Sequence, residues 1–243
     1  MKRLICFVLM VVVYLPFLHG DIYVKSLEHT SAYTAGNQPV PESDSYSELW
    51  FKDKMVSEKP NPDKIYIFDL SKNHLIIINH KDKTYVEMST PPDTGLVYSD
   101  QLKARNEMYK ETGSVTANNK TLEILGKTCK GYDIKTWKVA AGTNFDENNI
   151  GVWASEDVPF DMNVFNGLIN CKRILFNRDA AYRENLKTIK GFQLGLDFVL
   201  NRKGAEVKIS SRTVEISEKQ APEGTFTIPT GYTKKEKVSL SDL

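Results

Sequence analysis

Three histidines outside the N-terminal apolar stretch, His29, His74 and His80, are the first candidates for metal or acid–base chemistry. His74 and His80 bracket one apolar run, and six residues of extended chain hold them about 20 Å apart. That distance is too great for a shared metal unless the fold brings in other ligands, so solvated strand-end histidines are expected and no metal site is assigned. The carboxylates Asp69, Glu87, Glu156 and Asp157 are scattered among turns and strand faces, where solvated roles are the commoner ones. No serine sits in a G-x-S-x-G elbow, and neither a phosphate-cradling glycine loop nor a dinucleotide fingerprint occurs. These residues indicate no enzyme and no cofactor. Trp50, Trp137 and Trp153 have the character to line a sugar or lipid site, although aromatics on strands more often serve the core.

Cysteine chemistry depends on where the chain resides. Met1-Lys2-Arg3 precedes an apolar run from Leu4 to Leu15 and a small residue, Gly20, which is the pattern of a cleavable export signal. The run is shorter than the ~20 apolar residues that span a bilayer. Asp21 stands where a lipid-anchored exported protein would carry Cys. The expectation is therefore a leader over residues 1–20 and a periplasmic or secreted mature domain over residues 21–243, with no stable membrane insertion. In an oxidising compartment Cys129 and Cys171 pair by default, and closing residues 42 apart stabilises by about 4 kcal/mol in the chain-entropy model. Two buried thiols packing as small hydrophobes are the alternative.

Charge narrows the partners. The full chain has 32 Lys and Arg against 31 Asp and Glu, and losing Lys2 and Arg3 leaves 30 against 31. A near-neutral, interspersed surface excludes the clustered basic patch on which nucleic-acid binding depends. A monomer of about 220 residues suits one domain.

The elements that must position any site are mostly strands. β-Branched and aromatic residues broken by frequent turn chemistry predict a meander over residues 22–33, 45–51, 55–58, 65–70, 75–79 and 84–88. The connectors Ser71-Lys72-Asn73 and Lys81-Asp82-Lys83 permit only hairpins. Residues 99–112 read as a short helix stopped by Gly113, after which strands resume at 114. Residues 161–186 read as a longer helix. Val164, Leu168, Cys171 and Leu175 form one apolar stripe there, widened by Phe165, Ile169 and Phe176, and Asn163, Asn166, Asn170, Lys172 and Arg173 form the wet side. Asn177-Arg178-Asp179 is a natural break.

The clearest strand follows Gly191, where Phe192, Leu194, Leu196, Phe198 and Leu200 occupy alternate positions and place five large apolar side chains on one face. Val207 and Ile209 continue the pattern in the next strand, with a bulge expected near Ser211, and the C-terminus beyond Tyr232 reads as charged and loose. An apolar face of that size requires a cover, and the amphipathic helix from 161 is available. The fold class expected is mainly β, an α+β arrangement of about ten antiparallel strands with one or two helices.

Several segments together resemble a known family: Trp50-Phe51-Lys52-Asp53-Lys54-Met55; Ile65-Tyr66-Ile67-Phe68-Asp69 leading through Asn79-His80 to Lys83-Thr84-Tyr85; Gly126-Lys127-Thr128-Cys129-Lys130-Gly131-Tyr132; Gly151-Val152-Trp153-Ala154; Val214-Glu215-Ile216; and 226–232. They resemble an exported bacterial family of unknown function, itself similar to the LolA, LolB and LppX lipoprotein-carrier fold. The resemblance implies an open antiparallel half-barrel whose concave apolar face is closed by helices and shelters acyl chains. Under that arrangement a Cys129–Cys171 bond would pin lid to sheet. The chain differs from the carriers in passing directly into strand pattern at Ile22, so no functional residue is carried over.

The expected activity is non-catalytic binding of a lipid or hydrophobic small molecule in a pocket formed by Phe192, Leu194, Leu196, Phe198, Leu200, Val207, Ile209, Phe165, Leu168 and Trp153. The alternative is an interaction or stress-sensing module for envelope proteins, with the half-barrel filled by its own side chains.

Overall fold

The computed structural model describes residues 20–202 and 205–243, so the expected leader lies outside the described residues except for Gly20. The strands in chain order are β1 (Asp21–Thr30), β2 (Tyr33–Ala35), β3 (Gln38–Val40), β4 (Ser43–Lys52), β5 (Met55–Asn61), β6 (Lys64–Asp69), β7 (His74–Asn79), β8 (Thr84–Ser89), β9 (Lys110–Ile124), β10 (Lys127–Ala140), β11 (Thr143–Ser155), β12 (Phe192–Arg202), β13 (Ala205–Lys219) and β14 (Thr233–Lys234). The helices are α1 (Thr94–Val97), α2 (Asp100–Met108), α3 (Met162–Leu175) and α4 (Ala180–Leu186).

Twelve strands form one open sheet in the order β14-β8-β7-β6-β5-β4-β1-β13-β12-β11-β10-β9, and β2 and β3 make a separate hairpin. Every pairing is antiparallel except β14 with β8. The chain is mainly β with few helices, as its turn spacing predicts, and the strands outnumber the ten expected. Two-residue loops explain the long hairpins β9–β10 and β10–β11. Leu125-Gly126 and Ala141-Gly142 have both central residues at positive φ, the turn geometry that matches strand twist.

Two local expectations are corrected. The helix after Ser99 stops at Met108, and Gly113 lies within β9. A Cβ at 113 would sit 2.4 Å from the Lys135 carbonyl oxygen and 2.7 Å from the Tyr182 ring, so this glycine serves strand pairing and helix approach and not a helix stop. The bulge in β13 opposes Lys25 and Ser26 of β1, which pair with Glu215 and Thr213, and thus falls at Val214 and not near Ser211.

The main core lies between α3 and the sheet. Leu49, Phe51, Val56, Phe68, Leu75, Ile77, Val86 and Met88 meet Val164, Leu168, Cys171 and Leu175 of the helix. A smaller cluster joins Tyr132, Ile134, Val152 and Ala154 to Tyr182 and Leu186 of α4.

The C-terminal tail is docked, contrary to the expectation of a loose end. Val238 is fully buried in the main core and exchanges backbone hydrogen bonds with Val97 and Ser99. Asp242 is 2% exposed and accepts from Lys235 Nζ at 2.6 Å and from Ser239 N and Oγ at 2.7 Å. Burial alone would raise its carboxyl, but these bonds outweigh it and hold the group below the usual carboxylate range. Stability from a depressed carboxylate is present above the unfolded pKa and is lost as pH falls through the folded one. Asp242→Asn should therefore lower unfolding free energy by about 1–3 kcal/mol near pH 7. Urea melts at pH 7 and pH 3 check it, since the gap to the unsubstituted protein should shrink at the lower pH.

Cys129 and Cys171 are both free and buried, and no disulfide occurs among the described residues. This corrects the expected bond. Both cysteines pack as small apolar groups within one core, and the Cys129 thiol donates to the Lys127 carbonyl. Burial raises both thiols, Cys171 to about 12, which suppresses the reactive thiolate. In protein expressed from Asp21 onward, iodoacetamide should label neither thiol in the folded state and both after unfolding without reductant. Mass spectrometry of the alkylated protein would find no label in either state if the two were bonded.

Candidate functional site

Helix α3 starts at Asp161, whose carboxylate accepts from Asn163 N at 2.9 Å and pairs with Lys54 at 2.7 Å, fixing the helix over the β4–β5 turn. It ends where Asn177 takes a positive φ and donates its side-chain amide to the Asn106 and Tyr109 carbonyls at 2.9 and 2.7 Å. Asp179 then caps α4 by accepting from Tyr182 N at 2.7 Å. Helix α3 thereby lies against β5 and β6 and α4 against β9, with β10, β11 and β12 exposed to the gap beside them.

Two adjoining clefts open between the helices and the sheet. One, of about 530 Å³, is lined by Glu156, Met162, Phe165, Asn166, Asn170, Lys187, Ile189, Lys190 and Gly191. The other, of about 350 Å³, has a floor of Ile134, Ile150, Val152, Leu196 and Phe198 and a rim of Lys172, Phe176, Arg178 and Tyr182. Ile169, Arg173, Leu186 and Gln193 line both. Each volume falls in the ~300–1,000 Å³ range of small-molecule sites.

The apolar row of β12 is divided between solid core and cleft. A register shift between Trp153 and Ala154 of β11 breaks the alternation at Leu194, because Trp153 pairs with Gly195 and Ala154 with Gln193. Phe192 and Leu194 are 3% and 1% exposed in the main core, where Phe192 packs edge-on to Phe165 and Phe160. Leu196 and Phe198 reach the second cleft, and Leu200 is half-buried opposite Val207. Val207 and Ile209 are buried as cross-strand partners of Leu200 and Phe198 without lining either cleft. Phe165 touches both core and cleft, and Leu168 is wholly in the core.

Trp153 lies on the opposite face of β11 from Val152 and donates its indole N–H to Asp197 at 2.8 Å. Arg212 holds that Asp197 through bonds of 2.6 and 2.8 Å, and the Trp153 ring packs against the main core without lining either cleft.

The candidate catalytic groups are engaged elsewhere. Asp69 caps the β6–β7 turn by accepting from Ser71 N at 2.9 Å and Lys72 N at 3.2 Å. Glu87 pairs with Lys234 at 2.8 Å and Asp157 with Lys127 at 3.0 Å. His80 Nδ1 lies 2.7 Å from the Tyr232 hydroxyl, and His29 lies 2.7 Å from Asp44. Of these groups only Glu156 lines either of the two clefts between the helices and the sheet. Among the described residues no three His, Cys, Asp or Glu side chains gather, and no helix is long and apolar enough to cross a membrane.

Sequence patterning missed Arg173, Tyr182 and Gln193. Arg173 counts there as part of the wet side of α3, yet it is 8% exposed. The available signal is the spacing Ile169, Arg173, Phe176, a second stripe at offsets of 4 and 7 in which an arginine takes an apolar position. Burial, then the nearby Arg178, pushes its pKa down to about 10. Tyr182 is 2% exposed, and burial raises its hydroxyl to about 12.

The fold and site thus define a mainly β protein built on one large open sheet, with a helix-roofed cleft across three of its strands. Residues 46–232 match the family described as Domain of unknown function (DUF4412), and the chain belongs to that family. No curated protein matches the chain.

Proposed function

We propose that the chain is an exported, non-catalytic binding or carrier protein for a lipid or other hydrophobic ligand, held in the cleft that α3 and α4 roof. The observation that carries this reading is the floor of the second cleft. Ile134, Ile150, Val152, Leu196 and Phe198, from three neighbouring strands, face an opening of about 350 Å³. Each methylene buried there contributes about 0.8 kcal/mol. On this reading the open sheet is a half-barrel similar to the LolA, LolB and LppX carriers, the leader delivers it to the periplasm, and it acts as a monomer without cofactor or nucleic acid.

A second reading is an interaction or stress-sensing module for envelope proteins, with its interior filled. The packing of Phe192, Leu194 and Leu168 into solid core favours it. Purification from the periplasm after expression with the leader, followed by solvent extraction and mass spectrometry, separates the two. Carrier function predicts an amphiphile in near-stoichiometric amount. An empty extract, with an envelope protein captured by crosslinking in cells, would favour the module.

A further inference from the structure

Arg173 stands where the two clefts meet, and its surroundings point to the chemistry of the guest. Its guanidinium is buried, and Nε has no hydrogen-bond partner. The remaining contacts are marginal, at 3.4 Å from Nη1 to the Asn170 side-chain oxygen and 3.5 Å from Nη2 to the Leu186 carbonyl. Neighbouring cations on the same rim are neutralised. Lys172 reaches Glu58 at 2.6 Å, and Arg178 reaches Glu111 at 2.9 Å. Among the described residues no carboxylate pairs with Arg173. A buried charge without a counter-charge is destabilising, and it is retained where it does something else.

Resting on the binding function proposed above, we infer that Arg173 is an anion-recognition site and that the ligand is a single-chain anionic amphiphile. The head, a carboxylate or comparably small anion, is held by the Arg173 guanidinium. Its chain runs over Leu196, Phe198, Ile150 and Ile134. The planar fork of arginine offers two parallel N–H donors to such a head, which gives orientation as well as attraction. Two further polar residues line the clefts. Gln193 lines both clefts, and the Tyr182 ring lines the apolar one. Lys190 lines the wider cleft and favours approach by a negative head, while Lys187 on that wall is paired with Glu184 at 2.7 Å and Glu156 is the single carboxylate lining it.

The test is displacement of the neutral fluorophore N-phenyl-1-naphthylamine from the processed protein, stripped of bound lipid. Three competitors share a fourteen-carbon chain: tetradecanoate, tetradecan-1-ol and tetradecyltrimethylammonium. Tetradecanoate should bind about ten-fold or more tightly than the alcohol, as expected of hydrogen bonds to a charged group, with the ammonium weakest. Arg173→Gln should bring tetradecanoate down to the level of the alcohol and leave the alcohol nearly unchanged, and Arg173→Lys should recover part of the difference. Equal binding of acid and alcohol to the unsubstituted protein would overturn the anion site while leaving a hydrophobic pocket. If none of the three displaced the probe, the anion site and the binding function would fall together. Should Arg173→Gln not fold, the preference of the unsubstituted protein for acid over alcohol decides the matter by itself.

Discussion

Alanine at position 191 is expected to lower the free energy of unfolding by about 3 kcal/mol or more. Gly191 joins α4 to β12 at φ +95, a conformation L side chains rarely adopt. A Cβ there would lie 2.3 Å from both the carbon and the oxygen of the Ser155 carbonyl, and 2.7 Å from Glu156 N. These are backbone atoms at the end of β11, paired with β12, and have no rotamer through which to withdraw. Either β12 shifts against β11 or the helices lift from the sheet, and Gly191 also lines the wider cleft. Chemical denaturation should show the midpoint falling. As a comparison, Gly142→Ala meets no atom within 4 Å and should lose only the cost of its positive φ, about 1 kcal/mol.

Tryptophan at position 196 is expected to abolish ligand binding, by about a hundred-fold or more, with little change in stability. Leu196 is half-buried on the cleft floor, pairs with Ser211, and has open space above it. A larger ring extends into that opening and does not overpack a filled core. The same substitution at Val199, which is 41% exposed and three residues further along β12, should leave binding intact. Probe displacement on both variants, beside thermal melts, separates occlusion from misfolding. If Leu196→Trp folded and bound as well as the unsubstituted protein, the floor of the second cleft would not be where the ligand sits.

The first half of the sheet is legible in the chain because its strands are local. Residues 65–70, 75–79 and 84–88 are joined by connectors too short to do anything but reverse, so pattern and topology follow together. Asn177-Arg178-Asp179 marks the helix break for a similarly local reason, an asparagine suited to positive φ followed by a capping aspartate.

The failures are of contacts distant in sequence. Gly113 has the character of a helix stop, but its role depends on Tyr182, 69 residues away, which packs on that strand. The tail beyond Tyr232 is rich in charge, and nothing local shows that Val238 would fill a core pocket or that Lys235 would find Asp242.

The site shows the same division. Alternation in β12 correctly places Leu196 and Phe198 on the helix side. It also assigns Phe192 and Leu194 to the pocket, because a bulge that depends on the partner strand leaves no trace in β12 itself. Arg173 is missed because helical charge is ordinarily solvated, and its burial depends on Leu186 and the neighbouring α4.

The central claim is that an aliphatic chain lies on the floor beneath α3 and α4. Nuclear Overhauser measurements between methyl-labelled protein and bound tetradecanoate test it directly. Contacts are expected from the chain protons to the methyls of Ile134, Ile150, Val152 and Leu196, with none to Leu75 or Leu168, which are fully buried in the main core. Tight binding with contacts confined to residues away from these two clefts, or no contacts at saturating ligand, would contradict the account.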